Sequence, residues 1–406
     1  MISITNFKAG FGDTYLIEIF PNTDKPVRIL IDCGFEFMNN AIPALTEIGE
    51  TGGKIDRFII THYDSDHIAS ASNFIKANGE STHTTIIPID QIWLNTFRHL
   101  QFSKRLEIEL TTTEFKILSA FISDFGSKVS KNIPDKAIGA KQAMLLGQEI
   151  LKMGYNWNTD FQKRSACIEF NPDVVISENV YLHLLSPNLK NLAALEKKFV
   201  QELQKMNIGV KDDSVLDDAF ELYNRWLEQQ EVEEKSISGT VQNITKQKII
   251  DLTTNYVYEK DKAPGNGSSI AFIIRTPEKQ LLFLADAHSE DIIEQLTLRY
   301  KNSTQYPILF DAVKVAHHGS FKNNKPDLFQ MVDSEKFLFS TNGKHAKHVH
   351  PDVETVIHII NRPLPKGMKL RTLYFNHDLD HLKFLKEEGL QKEFKFTVCY
   401  DLHFSV

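Results

Sequence analysis

The stretch Thr61-His62-Tyr63-Asp64-Ser65-Asp66-His67 places two imidazoles and two carboxylates within six residues, in the pattern H-x-D-x-D-H. In a protein core the carboxylates would lose their hydration and repel each other, and a bound cation removes both costs. Apolar residues before the stretch predict a strand, and the residues after it predict a helix. At such a turn alternate side chains point two ways. We therefore expect His62 and Asp64 to face one metal ion, and Asp66 and His67 to face a second.

The composition predicts a compact soluble protein. The chain has 406 residues, of which 42% are hydrophobic and 24% charged, which is too apolar for a disordered protein. A net charge of −7 excludes a protein whose whole surface binds nucleic acid, although a local basic groove remains open. The cysteines, Cys33, Cys167 and Cys399, are far apart in the sequence, which is typical of free thiols in a reducing compartment.

The sequence contains no recognisable export or membrane signal. Charges at Lys8, Asp13 and Glu18 interrupt the N-terminal residues where a signal peptide would be apolar. The longest apolar stretches, such as 281–285, are far shorter than the roughly 20 residues of a membrane-spanning helix. We therefore expect a cytoplasmic protein that does not bind a membrane.

Apolar runs and turn signals predict strand-rich ends around a helical middle. Strands are expected in the first 61 residues, at 167–170 and repeatedly after residue 269, while 103–154 has helical spacing. Sheets packed on each other with helices outside, a layered α/β fold, satisfy this order.

Between residues 190 and 263 the composition shifts to Glu, Lys and Gln. We interpret 190–263 as an inserted helical, charged segment of a single domain that spans 1–406. Its pattern is typical of a solvated surface, so we expect it to bind a protein partner or modulate substrate choice rather than build the metal site.

Further segments extend the pattern along most of the chain. They are Ile29-Leu-Ile-Asp32-Cys-Gly34, Asn266-Gly-Ser-Ser269, Leu284-Ala-Asp286, Val315-Ala-His317-His318-Gly319-Ser320, Ser340-Thr-Asn-Gly343 and His350-Pro351. With the H-x-D-x-D-H stretch they resemble the motifs of the metallo-β-lactamase fold hydrolases, and most closely the soluble hydrolase domain of ComEC-type competence proteins. The resemblance implies a metallo-β-lactamase-like αββα sandwich, in which Asp32 orients the metal ligands and Asp286 bridges two ions.

The sequence also departs from that family. The region between residues 68 and 180 contains His83 and His99, but neither lies in the small-residue context of the family's third ligand motif. The segment 190–263 is longer than the corresponding family connection. The membrane segments of ComEC are absent, so a role in DNA uptake does not carry over.

The later histidines leave alternatives open. His317 and His318 follow a strand, where consecutive side chains point to opposite faces, so we expect one direct ligand. We favour His317 as the ligand and His318 as a neighbour or proton carrier. The group around His345, His348 and His350 is expected either to bind metal or to present cations to an anionic substrate. We expect no metal role for His377 and His381, although their spacing imitates a ligand set.

These residues predict a binuclear metal-dependent hydrolase. Its two divalent ions, Zn²⁺ or Mn²⁺, would lie 3.5–4 Å apart, roughly the spacing of other two-metal sites, with an attacking hydroxide between them. The expected metal ligands are His62, Asp64, Asp66, His67, Asp286 and His317. Asp66, His318 and His350 are the expected catalytic residues.

Three features favour a phosphodiesterase or nuclease acting on DNA. The ligand set is rich in carboxylates, the resemblance implies DNA, and lysines that could hold a phosphate backbone occur near the motifs. These are Lys314, Lys322, Lys325, Lys344 and Lys347. The alternatives are a hydrolase of small esters, thioesters or lactams, and a metal-containing binding or effector protein.

Overall fold

Two β-sheets form the centre of the molecule. The structure is a computed structural model, and it describes residues 1–20, 25–100, 120, 146–205, 217, 219–224, 244–303, 305–345 and 348–406. The strands are β1 (Ile2–Asn6), β2 (Tyr15–Ile19), β3 (Val27–Ile31), β4 (Arg57–Ile59), β5 (Ile92–Trp93), β6 (Asp173–Ser177), β7 (Val180–Ser186), β8 (Ala271–Arg275), β9 (Gln280–Phe283), β10 (Ile308–Phe310), β11 (Ala312–Lys314), β12 (Val332–Ser334), β13 (Lys336–Phe339), β14 (Arg371–Phe375), β15 (Phe396–Cys399) and β16 (His403–Ser405).

The sheets mix antiparallel and parallel pairs. The first sheet has the order β16-β1-β2-β3-β4-β5, and the second has the order β15-β14-β13-β11-β9-β8-β7-β6, while β10 and β12 form a separate parallel pair. The pairs β3–β4 and β4–β5 are parallel in the first sheet, and so is the run β9–β11–β13–β14–β15 in the second. Parallel neighbours place their carboxyl ends at the same edge of a sheet.

Alternating side chains divide the apolar residues between different cores. Ile17 and Ile29 of the first sheet share an inner core with Phe272 and Phe283 of the second. Leu16, the neighbour of Ile17, points the other way into an outer core. Because strand side chains alternate between faces, each sheet can bury both of its sides.

Helices cover both outer faces. They span Phe37–Asn40, Ile42–Glu50, Ser65–Ile68, Ala71–Asn78, Phe97–Leu100, Leu146–Lys152, Leu189–Lys205, Lys246–Thr254, Pro264–Gly267, Ser289–Arg299, Pro326–Met331, Val353–Ile360 and Glu388–Phe394, with short 3-10 turns at Thr159–Phe161, His317–Gly319, Phe321–Asn323 and Asp380–Lys386. Phe74 and Phe199 lie in the outer core of the first sheet, and Ile292 and Val356 in that of the second. The layers are helix, sheet, sheet and helix, which confirms the predicted α/β sandwich.

Some predicted elements differ from the structure. The strand predicted at 167–170 is a turn, and the strand β6 follows it. Of the helical pattern over 103–154, residues 120 and 146–154 are described, with a helix at Leu146–Lys152, and the rest of the prediction lies outside the described residues.

The segment 190–263 contributes apolar side chains to the hydrophobic cores as well as charged residues to the surface. Leu195 and Phe199 enter the outer core of the first sheet, and Ile249 enters that of the second. Its part at 206–216, 218 and 225–243 lies outside the described residues. The amphipathic helices of this segment therefore complete both outer layers, because their apolar sides are buried while their charged sides face solvent.

Candidate metal centre

The polar loops that follow the parallel strands meet at one edge of the sandwich. Asp32 follows β3, the H-x-D-x-D-H stretch follows β4, and Asp286 follows β9. His317 and His318 follow β11. The register of the sheets thus assembles residues that are up to 286 positions apart in sequence, between 32 and 318. Such an edge is where open α/β sheets place their ligands.

Asp286 lies at the centre of this group. Its Oδ2 atom is 3.5 Å from His317 Nε2 and 3.8 Å from His62 Nε2, and its Oδ1 atom is 3.4 Å from His67 Nε2. Asp286 is 1% exposed, so its carboxylate depends on these neighbours for compensation. Its two oxygen atoms face different imidazoles, an arrangement that could bridge two ions.

The H-x-D-x-D-H stretch contains two close contacts between a histidine and an aspartate. His62 Nε2 is 3.4 Å from Asp64 Oδ2, and His67 Nε2 is 3.7 Å from Asp66 Oδ1. Ligand atoms that bind one tetrahedral ion at about 2.1 Å lie about 3.4 Å from each other. The separations in both halves are close to this value, so each half has the dimensions of a cation site.

Several buried polar atoms of the site lack a hydrogen-bond partner, and their chemistry indicates whether a metal ion would fit there. The atoms His62 Nε2, His67 Nε2, Asp13 Oδ1 and both carboxylate oxygens of Asp286 are buried and make no hydrogen bond. Leaving a buried polar atom without a partner costs about 1–3 kcal/mol each. Imidazole nitrogens and carboxylate oxygens are the ligands of Zn²⁺, and carboxylates also suit Mn²⁺. The donor set therefore fits one or two divalent ions.

Asp32 orients both imidazoles of the stretch. His67 donates from Nδ1 to Asp32 Oδ2 at 2.7 Å, and Asp32 also accepts from the Thr61 hydroxyl at 2.9 Å. That hydroxyl lies 3.1 Å from His62 Nδ1 and can accept its proton. With both Nδ1 atoms engaged, the Nε2 atoms of His62 and His67 remain as the positions that could bind a metal.

The backbone at His317 and His318 differs from the strand geometry assumed in the sequence analysis. Their φ angles are +46° and +51°, in the left-handed region. Two successive left-handed residues do not alternate as strand residues do, so both side chains reach the site. Asp32 and Ala285, also at the site, have φ angles of +58° and +45°. Such conformations cost about 1–3 kcal/mol each and cluster at functional sites.

Both histidines therefore contact the centre. His318 is buried and donates from Nε2 to Asp66 Oδ2 at 2.8 Å and from Nδ1 to the Ser340 carbonyl at 2.7 Å. His317 is 21% exposed in its side chain, and its Nδ1 atom is 2.9 Å from Asn323 Oδ1. The choice of His317 as the ligand stays a prediction, because ligand atoms of His318, His67, Asp286 and Asp13 also lie within 4.8 Å of one another.

Asp13 lies at the site and was missed, and Lys314 lies there in a different role from the one expected. Lys314 is buried and ion-pairs with Asp13, and its Nζ atom is 4.0 Å from Asp286 Oδ1. Lys314 therefore cannot hold a DNA backbone as the sequence analysis expected. A local signal was present at Gly12, where an added β carbon would lie 1.9 Å from the Asp66 carbonyl oxygen. This contact requires glycine and brings Asp13 to the stretch.

Burial and charge alter the acidity of the first half of the site. Burial, together with Asp66 and Asp286, raises the pKa of Asp64 to about 7. Burial and the neighbouring His67 lower the pKa of His62 to about 4, so its imidazole is neutral near pH 7. A neutral imidazole is the form that binds metal.

The side of the site that contains His67 and His318 retains positive charge. Burial opposes protonation of His318, but Asp13 and Asp286 outweigh it and raise its pKa to about 10. The same balance of burial against Asp286 and Asp66 raises the pKa of His67 well above its ordinary value. These protons compensate the carboxylates, and a metal ion must displace them to bind Nε2.

A small pocket opens above the centre. Phe11 lines it on one side and His345, His348 and His350 on another, with Asp64 and Asp66 also in the wall. The volume open to the centre of a water molecule is about 40 Å³. The pocket is small and opens to solvent beside the candidate metal ligands.

The three later histidines form a stack along this pocket. The ring of His348 lies 5.4 Å from that of His345 and 6.0 Å from that of His350, with interplanar angles of 11° and 9°. The ring of His350 is 5.2 Å from that of His317. Burial and the neighbouring histidines lower the pKa of His348 to about 4. The stack therefore presents a neutral imidazole at its centre near pH 7.

The other histidines singled out in the sequence lie apart from the candidate centre. His381 is buried and bonds from Nε2 to the Pro351 carbonyl oxygen at 3.0 Å, so its role is to hold the His350–Pro351 turn rather than to lie on the surface. His99 is buried in the helix Phe97–Leu100 and bonds to Thr96, and His83 bonds to Thr82 in an exposed loop. Lys347 lies outside the described residues.

The part of the chain that contains the stretch is similar to a known family. Residues 8–89 match the family model of the metallo-beta-lactamase superfamily. The matched range includes Asp13, Asp32 and the H-x-D-x-D-H stretch, and the closer likeness to ComEC-type proteins stays a prediction.

A solved structure also resembles the chain distantly. It is the crystal structure of Zn²⁺-bound PqqB from Methylobacterium extorquens, with 11% sequence identity, a TM-score of 0.38 and coverage of 100% of both chains. At this level the likeness carries no functional argument. No curated protein matches the chain. Within the described residues, no helix is long and apolar enough to cross a membrane.

Proposed function

We propose that this protein is a metal-dependent hydrolase that cleaves phosphodiesters, with DNA as its substrate class. The observation that carries the metal-dependent part is the convergence of unpartnered imidazole nitrogens and carboxylate oxygens on Asp286. Divalent ions bound by this donor set, Zn²⁺ or Mn²⁺, would supply an acidified water as the nucleophile and neutralise charge on the attacked group.

The chain's own residues would divide the remaining work. Asp66 is held by His318, and Asp286 faces both halves of the centre, so these carboxylates would hold the cations in place. His318 uses both ring nitrogens in short contacts and is poorly placed to release a proton outward. His350 lines the pocket and is the better-placed donor to the leaving oxygen.

The DNA part of the proposal is supported by charge and access. The carboxylate-rich centre suits two-metal phosphoryl chemistry, and Lys322 and Lys344 lie in the loops that carry His318 and His345. Most of a polymer would lie outside so small a pocket, where these lysines could contact its phosphates.

A small-molecule hydrolase is the second candidate. The same narrow pocket, with Phe11 against the His345 ring at 4.9 Å, would suit a compact ester, thioester or lactam. In that case the lysines are ordinary surface residues. The two candidates share the metal centre and differ in substrate.

Substrate screening separates these candidates. Protein reconstituted with Mn²⁺ or Zn²⁺ is tested on single-stranded DNA, double-stranded DNA, RNA, bis-p-nitrophenyl phosphate, a lactam and a thioester. We expect metal-dependent cleavage of DNA that weakens as salt rises, because its binding would depend on contacts between lysines and phosphates. Turnover of the lactam or thioester, without turnover of any phosphodiester, would overturn the DNA proposal. A Lys344→Gln variant should lose activity on DNA and keep it on bis-p-nitrophenyl phosphate.

A further inference from the structure

Asp261 lies beside the metal centre although it belongs to the segment 190–263. Its Oδ1 atom accepts from the Ala263 amide at 2.8 Å, and its Oδ2 atom accepts from the side-chain amides of Asn266 at 2.7 Å and Asn323 at 2.8 Å. The side chain is 11% exposed, and His288 Nε2 is 3.7 Å from Oδ2. A carboxylate this enclosed fixes the groups that donate to it.

Asn323 passes this constraint on to His317. Its Nδ2 atom donates to Asp261 and, at 3.0 Å, to the Asp286 carbonyl oxygen. Both acceptors require the amide nitrogen on that side, so the Asn323 carbonyl oxygen must face His317 Nδ1, 2.9 Å away. The Asn266 amide is farther from the same nitrogen, at 3.4 Å.

The tautomer of His317 follows from this contact. Because Asn323 Oδ1 can only accept, His317 Nδ1 must carry the proton, and the Nε2 lone pair then points toward Asp286 Oδ2 at 3.5 Å. Asp32 fixes His67 in the same sense by direct contact. Two carboxylates thus each orient one imidazole of the centre: Asp32 orients His67 directly, and Asp261 orients His317 through Asn323.

We propose that Asp261 is a positioning residue for the metal centre, which acts through Asn323 to hold His317 in the tautomer and orientation that bind an ion. The inference rests on the metal-binding part of the proposed function and is independent of the substrate. It also assigns the segment 190–263 a part in building the centre, contrary to the expectation from the sequence. The Asp261 amide bonds to the Lys322 carbonyl at 3.2 Å, and the Tyr258 hydroxyl bonds to the same oxygen at 2.8 Å, which ties this segment to the loop of Asn323.

The test is metal binding by Asp261→Asn, which keeps the shape of the side chain and removes its charge. Binding of Co²⁺ and Zn²⁺ is measured by equilibrium dialysis, with the visible spectrum of Co²⁺ as a report on the ligands. We expect the affinity for one ion to fall about 10- to 100-fold, as is usual when the partner of a metal-bound imidazole is lost. Affinity for the other ion should change little. Asp251→Asn, an exposed change in the same segment, serves as the matched control and should bind as the wild type does.

A double-variant comparison tests whether Asp261 acts through Asn323. Asn323→Ala breaks the same connection from the other end and should weaken the same ion, and adding Asp261→Asn to it should have little further effect. The ¹⁵N shifts of the His317 ring, assigned with His317→Gln, should show the proton on Nδ1 in the wild type and a loss of that preference in either single variant. Unchanged affinity and an unchanged His317 tautomer in Asp261→Asn would overturn the inference, and so would equal effects of that change with and without Asn323. A wild-type protein that binds no divalent ion would overturn the proposed function and this inference with it.

Discussion

Replacement of Asp64 by Asn should have opposite effects on the metal-free and the metal-loaded protein. Burial and two neighbouring carboxylates raise the pKa of Asp64 from 3.8 to about 7. Because the folded protein binds this proton more tightly than the unfolded chain does, stability falls as pH rises from about 4 to about 7. In the metal-free protein, Asn at position 64 removes this loss of stability. In the metal-loaded protein, it removes a negatively charged group that is expected to bind the ion.

The structure sets the size of the effect. The difference between the two pKa values, roughly three, corresponds to about 4 kcal/mol at pH 8. The side chain is 14% exposed, and screening by water reduces the expected gain to about 1–3 kcal/mol. The change leaves the helix start intact, because Asp64 makes no side-chain capping bond to the helix Ser65–Ile68.

Urea denaturation at pH 5 and pH 8, with EDTA and then with Zn²⁺, measures both effects. With EDTA, Asp64→Asn should be more stable than the wild type at pH 8, and this gain should shrink at pH 5. With Zn²⁺ the variant should be the less stable protein. Asp380→Asn, at a side chain that is 84% exposed, should show neither effect. If Asp64→Asn destabilised the EDTA-treated protein at pH 8 as much as the Zn²⁺-treated one, the repulsion among these carboxylates would be refuted.

Three further predictions follow from particular contacts. Asp333 is buried between Arg371 and Arg362 and bonds to Arg371 at 2.6 Å. Asp333→Ala should therefore lower the free energy of unfolding by about 3–5 kcal/mol and leave metal content unchanged. A loss of less than about 1 kcal/mol in urea denaturation would contradict this prediction. Metal uptake at pH 7 should release protons, because the raised pKa values of His67 and His318 keep their rings protonated in the metal-free protein. Calorimetry in two buffers of different ionisation enthalpy measures the number of protons released. Equal heats of binding in the two buffers would count against this prediction. Gly12→Ala should disturb metal binding, because its β carbon would meet the Asp66 carbonyl oxygen, whereas Gly389→Ala, which meets nothing within 4 Å, should not; equal metal content in both variants would be evidence against the close approach.

The sequence predicts those features of the site that depend on neighbouring residues. The H-x-D-x-D-H spacing predicts that its histidines and aspartates lie close together, and His62 lies near Asp64 and His67 near Asp66, while the assignment of each pair to its own ion stays a prediction. The alternation of apolar residues likewise predicts the layered fold, which the structure confirms.

Other features depend on contacts that no local pattern records. A lysine such as Lys314 is normally expected at the surface, and its burial against Asp13 depends on how the two sheets pack together. Asp261 lies in a segment whose charge pattern is typical of a surface, yet its carboxylate is enclosed by amides from later loops. The positive φ angles at His317 and His318 break the alternation of faces, and neither position is a glycine, the residue type that would have indicated such a conformation.

The most direct test of the metal centre is metal content by elemental analysis after reconstitution, in the wild type and in Asp286→Asn. Asp286 faces His62, His67 and His317 with its two oxygen atoms, so the wild type should bind up to two divalent ions per chain and the variant fewer than one. The Asp380→Asn variant should match the wild type. Less than half an equivalent of any divalent metal in the wild type, or equal content in Asp286→Asn, would contradict the assignment.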